Sequence, residues 1–183
     1  ANTYCVLLVE KFAPQKLNIA HHLHLSIQLK RAVKDGVPSV LLIREPMAAI
    51  ASLLLREQRV TTWSAFYWYN SFHEDLRPFK DKLIIWPFEK DIETPLECIR
   101  DLHQKTGLVA FDENDTLDNE EIFKQIDQLD KDVKSGGNLA NVNSRPNLTK
   151  SSAKKEILAE IQSDPKWAKM RQRALDHYQF FTS

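Results

Sequence analysis

Three residues in one short stretch have the types and spacing to hold an anion. Arg44 follows the apolar run Val40-Leu41-Leu42-Ile43, Pro46 comes two residues later, and Ser52 comes eight residues after the arginine. A guanidinium is a planar fork that matches a phosphate or carboxylate, and a serine hydroxyl is a second donor. Pro46 suits the first position of a helix, where its missing N–H costs nothing, and Met47-Ala48-Ala49-Ile50 are good helix formers. Arg44 is therefore expected at the carboxyl end of a buried strand, beside a helix N-terminus whose free amides and dipole favour anions. The plainer alternative is a strand-end arginine paired with a carboxylate such as Glu45, and a serine that merely lies on a helix. His21, His22 and His24 form a second group with chemical potential. Adjacent and i+2 histidines do not share one helical face, and no nearby cysteine or acidic pair completes a tetrahedral set, so no metal is expected there.

The elements around these residues follow from pattern and punctuation. Tyr4-Cys5-Val6-Leu7-Leu8-Val9 is a continuous apolar run that reads as a buried strand closed off by Pro14, and Lys16 to Ala20 as a second short strand. Leu25, Leu29, Ala32 and Val33 recur at helical spacing until Gly36, well placed as a cap. After the Val40–Ile43 strand, a helix runs from Pro46 to about Gln58. Thr61 or Thr62 caps another, rich in Trp63, Phe66, Tyr67, Tyr69 and Phe72. Those rings are either an aromatic core helix or in part the lining of an acceptor pocket. Lys82 to Glu89 reads as the next strand, ending near Pro87. Thr94-Pro95-Leu96-Glu97 has the form of a capping box with proline at the first helical position, and Gly107 marks the stop. Asp118 to Val133 carries Ile122, Phe123, Ile126 and Leu129 on one side of a surface helix. Lys134 to Asn147 is the longest loop-like segment. Beyond it, Ser151 or Ser152 caps a helix with Ile157, Leu158 and Ile161, and Asp164-Pro165 opens a last one, giving a terminal helical hairpin packed on the sheet.

Length and composition set the bounds. A chain of 183 residues fits one domain, residues 1–183, with a proper core, since chains of this size bury roughly 70% of their unfolded surface. Lysine plus arginine equals aspartate plus glutamate at 25 each, so no whole-chain field announces nucleic acid or an anionic membrane, and any anion site must be local. Cys5 and Cys98, the only cysteines, each lie in an apolar segment and read as two buried thiols, which leans toward a reducing compartment. No apolar run reaches the roughly 18 residues that span a bilayer and no leader pattern is present. A soluble, cytoplasmic protein is expected, with the Golgi lumen as the alternative, where the sequons at Asn114 and Asn147 would matter. The chain begins with Ala1, which allows a processed or partial sequence.

The arrangement of Arg44, Pro46 and Ser52 resembles the 3′-phosphate-binding motif of the PAPS-dependent sulfotransferases, and the stretch from Lys82 through Phe88-Glu89-Lys90-Asp91 and Pro95 to Gly107 resembles the strand, acidic turn and Gly-terminated helix of that family. Phe88 stands where the family usually has tyrosine. The resemblance implies an α/β fold of the P-loop sulfotransferase type, a mostly parallel sheet flanked by helices with a helical C-terminal region. It implies that Arg44 and Ser52 bind the 3′-phosphate of 3′-phosphoadenosine 5′-phosphosulfate (PAPS), a co-substrate used without a metal. It places His22 on the family's catalytic base, although the family's preceding lysine and threonine are Ala20 and His21 here. Glu89 is a second base candidate, and Arg145, in Ser144-Arg145-Pro146, is the candidate for the family's C-terminal phosphate-binding arginine. The implied partner is a small-molecule or carbohydrate acceptor bearing a hydroxyl or amine. The family's glycine loop for the 5′-phosphosulfate has no counterpart, since the four glycines are Gly36, Gly107, Gly136 and Gly137. That loop lies upstream of this sequence, or the chain is an inactive interaction or binding domain of the same fold. A Walker-type kinase loop is absent too, which sets phosphate-donor kinases aside.

Overall fold

The computed structural model describes residues 2–21, 25–57, 59–88, 93–134 and 148–183, and the backbone alone of 2, 130–134 and 148–151. They make an α/β protein of mostly helices with a small two-stranded parallel sheet. The chain falls into two compact units, one made of Ala1–Leu23 with Phe88–Arg145 and the other of His24–Pro87 with Pro146–Ser183.

The first unit packs α1 (Asn2–Phe12) against α5 (Pro95–Thr106) and α6 (Asn119–Lys134). The expected strand over Tyr4 to Val9 is therefore a helix. Tyr4 and Leu8, one turn apart, are buried while Val6, Leu7 and Val9 are only half-buried, so the run covers one helical face and is too short for its hydrophobicity to reveal a period. Tyr4 fixes it further: its hydroxyl donates to Asn119 Oδ1 at 2.6 Å and its ring lies 5.7 Å from Phe123. The second short strand is also corrected, since residues 16–21 join no sheet. α5 has Pro95 in its first turn as expected, but Thr94 and Glu97 interact side chain to side chain, the hydroxyl donating to the carboxylate at 3.2 Å, instead of forming the reciprocal box. Its end is Gly107, at φ +66°, whose N–H reaches His103 O at 2.8 Å. Because L side chains pay in strain at that φ, Gly107→Ala is expected to lower stability by about 1–2 kcal/mol, seen as an earlier midpoint in urea.

The second unit holds the sheet. α2 (Ser26–Lys34) precedes β1 (Val40–Ile43), which pairs in parallel with β2 (Ile84–Pro87) in the register Val40 to Ile84 and Ile43 to Pro87. Parallel pairing demands a long crossover, here α3 (Pro46–Arg56), α4 (Thr62–Leu76) and a 3-10 turn (Arg77–Lys82). Thr61 caps α4, its hydroxyl accepting from Ser64 N. α7 (Leu148–Ser163) packs on α3, and α8 (Ala168–Thr182) packs on α4, α3 and β2. The two terminal helices are thus present, α8 reaching the sheet while α7 lies on α3, and their starts differ from expectation in two ways. α7 starts ahead of Ser151 and Ser152, so neither caps it, and Asp164 caps a 3-10 turn, Pro165–Trp167, that leads into α8.

Two clusters fill this unit. Met47, Ile50, Ala51, Ala65, Phe66, Ile161 and Ala174 join α3, α4, α7 and α8, while Leu29, Leu41, Ile43, Leu76, Leu83 and Phe181 seat the sheet against α2, α4 and α8. The aromatic helix splits accordingly: Phe66 is core, Tyr69 and Phe72 are half-buried, and Trp63 and Tyr67 stack on each other in solvent. α4 and the 3-10 turn that follows it lie beside α8 and run in the same direction, which the bonds to α8 record. Asn70 Nδ2 donates to Met170 O, Arg77 Nη1 meets His177 Nδ1 and Lys80 Nζ donates to Phe180 O, each pair 100 residues apart.

Candidate functional site

β1 ends at Ile43, and Arg44 leaves the sheet at its carboxyl end with α3 beginning two residues on. Within α3, Ser52 lies on the turn that faces back toward that strand end. Arg44 Nη1 donates to Ser52 Oγ at 3.2 Å, and both residues are half-buried. The two side chains whose types and spacing suggested an anion site are thus brought together on one edge, by an apolar strand on one side and the buried residues Met47, Ile50 and Ala51 of α3 on the other.

The helix end itself is used differently from the expectation of free amides. Glu45 caps α3, its Oε1 accepting from Met47 N at 3.1 Å and its Oε2 from Ala48 N at 2.6 Å. A carboxylate there suits the positive end of the helix dipole. An external anion at this edge must therefore be met by the Arg44 and Ser52 side chains, with those two amides already engaged. Glu45→Ala removes the cap and is expected to cost about 1 kcal/mol of stability, measured by urea unfolding.

Two contacts that the sequence did not announce complete the site. The Tyr69 hydroxyl of α4 donates to Arg44 O at 2.9 Å, fixing the backbone at the strand end from a helix 25 residues away. No local pattern signals such a bond; only the polar tip on an otherwise core-facing ring hints that a partner is needed. Beside it, between α3 and α4, lies a slot of about 130 Å³ lined by Ala49, Ile50, Leu53, Ala65, Trp68 and Tyr69. Tyr69, one wall of the slot, is also the residue that reaches Arg44 O. His22, Glu89 and Arg145, the remaining expected site residues, lie outside the described residues, as does the segment 89–92 of the acidic turn.

Compared with protein-family models, curated proteins and solved structures, the chain matches none. What the geometry offers chemically is therefore read from the site alone: a cation and a hydroxyl converging at a strand end, an apolar slot walled in part by Tyr69, and among the described residues no group of three or more metal-ligating side chains. No described helix is long and apolar enough to cross a membrane.

Proposed function

We propose that Arg44 and Ser52 bind the 3′-phosphate of PAPS or of its product, 3′-phosphoadenosine 5′-phosphate, and that the chain belongs to a sulfotransferase-like protein moving a sulfuryl group to a hydroxyl or amine acceptor. The observation that carries this reading is the Arg44 Nη1 to Ser52 Oγ approach of 3.2 Å, which unites the two donors that the motif assigns to one phosphate. An arginine fork supplies charge-assisted hydrogen bonds to phosphate oxygens, and the hydroxyl, turning toward the anion, supplies another. Tyr69 keeps the strand end in place during that exchange. The slot lined by Trp68 and Tyr69 takes an apolar part of the bound molecule, in keeping with small-molecule sites that are mostly apolar with a few polar groups.

In the transfer, the acceptor oxygen or nitrogen forms a bond to sulfur as the bond from sulfur to the 5′-phosphate oxygen breaks, and the acceptor proton passes to a base. His22 and Glu89 are the residues proposed for that base, and Arg145 for a further contact to the 3′-phosphate. Positioning and electrostatic stabilisation of the leaving phosphate carry most of the catalysis in such in-line reactions. Calorimetric titration with 3′-phosphoadenosine 5′-phosphate tests the reading. Saturable binding, with ATP much weaker at the same concentrations, is expected; equal or stronger binding of ATP, or no binding of the 3′-phosphorylated nucleotide, overturns it.

A further inference from the structure

The interface between α4 and α8 buries two histidines that the anion site does not use. His73 is 6% exposed and His177 1% exposed, and their ring centroids stand 6.4 Å apart. His73 Nδ1 lies 2.7 Å from Tyr69 O, a backbone acceptor, so that nitrogen carries the proton. Tyr69 and Phe181 crowd its ring at 4.1 and 5.9 Å between centroids, and Phe72 meets it edge-on at 5.3 Å. His177 Nδ1 faces the guanidinium of Arg77 at 3.2 Å, which can only donate, so Nδ1 is the bare nitrogen and Nε2 carries the proton, 3.2 Å from Glu74 Oε2. His177 is therefore neutral in this arrangement, and burial disfavours a charge on His73. The Arg77 guanidinium also lies 3.9 Å over the Phe180 ring, so one residue grips α8 at two points.

We infer that His73 and His177 form an acid-sensitive latch, holding α8 against α4 while both rings are neutral and releasing the helix when they take up protons. A second proton on His177 falls on Nδ1, directly against Arg77, and ends the hydrogen bond between them. A second proton on His73 puts a charge among Phe72, Phe181 and Tyr69, within reach of the other imidazole. The charged groups acting on His177 are Glu74 on α4, Arg77 on the 3-10 turn, and Arg173 and Asp176 on α8; Lys80 is turned to Phe180 O, and Asp75 to Ser26 and Lys30 of α2. Glu74 and Asp176 favour a charged His177, but Glu74 is half exposed and already shares Oε2 with Arg173 at 3.2 Å, and burial with the two arginines prevails. Burial first, and then the neighbouring imidazole, pushes His73 down to about 4, and burial likewise pushes His177 down.

The sign follows. A histidine whose native value lies below its unfolded one refuses a proton that the open form accepts, so the contribution is complete above about pH 6.5 and is lost as pH falls toward about 4. Release uncovers Phe181 and with it Leu41 and Ile43 of β1, the strand that ends at Arg44. This inference rests on the α4–α8 interface alone and stands or falls apart from nucleotide binding.

Hydrogen exchange of the whole chain at pH 7 and pH 5, corrected for the intrinsic rates, tests it. Amides of 170–182 are expected to lose protection by about tenfold or more at pH 5, with β1 and the middle of α3 changing far less. His73→Phe, and separately His177→Gln, are expected to shrink that difference. Unchanged protection of α8, equal loss across the second unit, or a pH response undiminished in both variants overturns the latch. Should His73→Phe not fold, the parent's local pattern together with His177→Gln decides.

Discussion

Replacing Arg44 by alanine is expected to weaken binding of 3′-phosphoadenosine 5′-phosphate by ten- to a hundredfold, on the order of 1.5–3 kcal/mol, the net worth of hydrogen bonds to a charged group. Arg44 is half-buried at a strand end and its backbone is held by Tyr69, so unfolding of the variant, measured beside binding, separates lost affinity from lost stability. Arg44→Lys keeps the charge without the planar fork and should recover only part of the affinity. Ser52→Ala removes one neutral donor and should cost less, about 0.5–1.5 kcal/mol. Calorimetry measures all three, and urea unfolding verifies that each variant is folded. An alanine variant that binds as tightly as the parent would remove the basis for a phosphate site here.

The second large effect lies in the core. Phe66→Ala is expected to destabilise the chain by about 3–5 kcal/mol, a large fraction of the stability of a domain. Phe66 is fully buried in the cluster that joins α3, α4, α7 and α8, and its ring stacks 5.8 Å from that of Trp167. Truncation leaves a cavity bounded by four helices, none of which can move inward without breaking contacts with the others. Urea unfolding should show the midpoint move sharply. Trp63→Ala, three residues earlier on the same helix but half exposed to solvent, serves as the contrast and should move it little. A loss at Phe66 no larger than that at Trp63 would mean that this cluster is not the centre of the second unit.

How far the sequence could be read depended on the range of the forces involved. The Val40–Ile43 strand, Pro46 opening α3, Thr61 capping α4 and Gly107 ending α5 were all legible, because each is decided by a few neighbouring residues. The pairing of Arg44 with Ser52 was legible for the same reason, since strand, turn and two helical turns fix their separation. Tyr4 to Val9 was misread because its placement depends on Asn119 and Phe123, more than a hundred residues away, and a short apolar run has no period of its own to oppose a strand. Glu45 escaped as a cap because glutamate is not among the residues that usually serve, and its reach to Met47 N and Ala48 N is visible only in three dimensions. Tyr69 on Arg44 O and the histidine pair of α4 and α8 are likewise tertiary, with no trace in local pattern.

The parallel packing of α4 and α8 also determines when the second unit can be finished. Bonds such as Asn70 to Met170 and Arg77 to His177 close loops of 100 residues, and the intervening chain first passes through the other unit. During synthesis, the cluster that joins β1 and α4 lacks Phe181 until α8 has left the ribosome. Contacts of such long range are slow to form, and exposed strands and helix faces are vulnerable meanwhile.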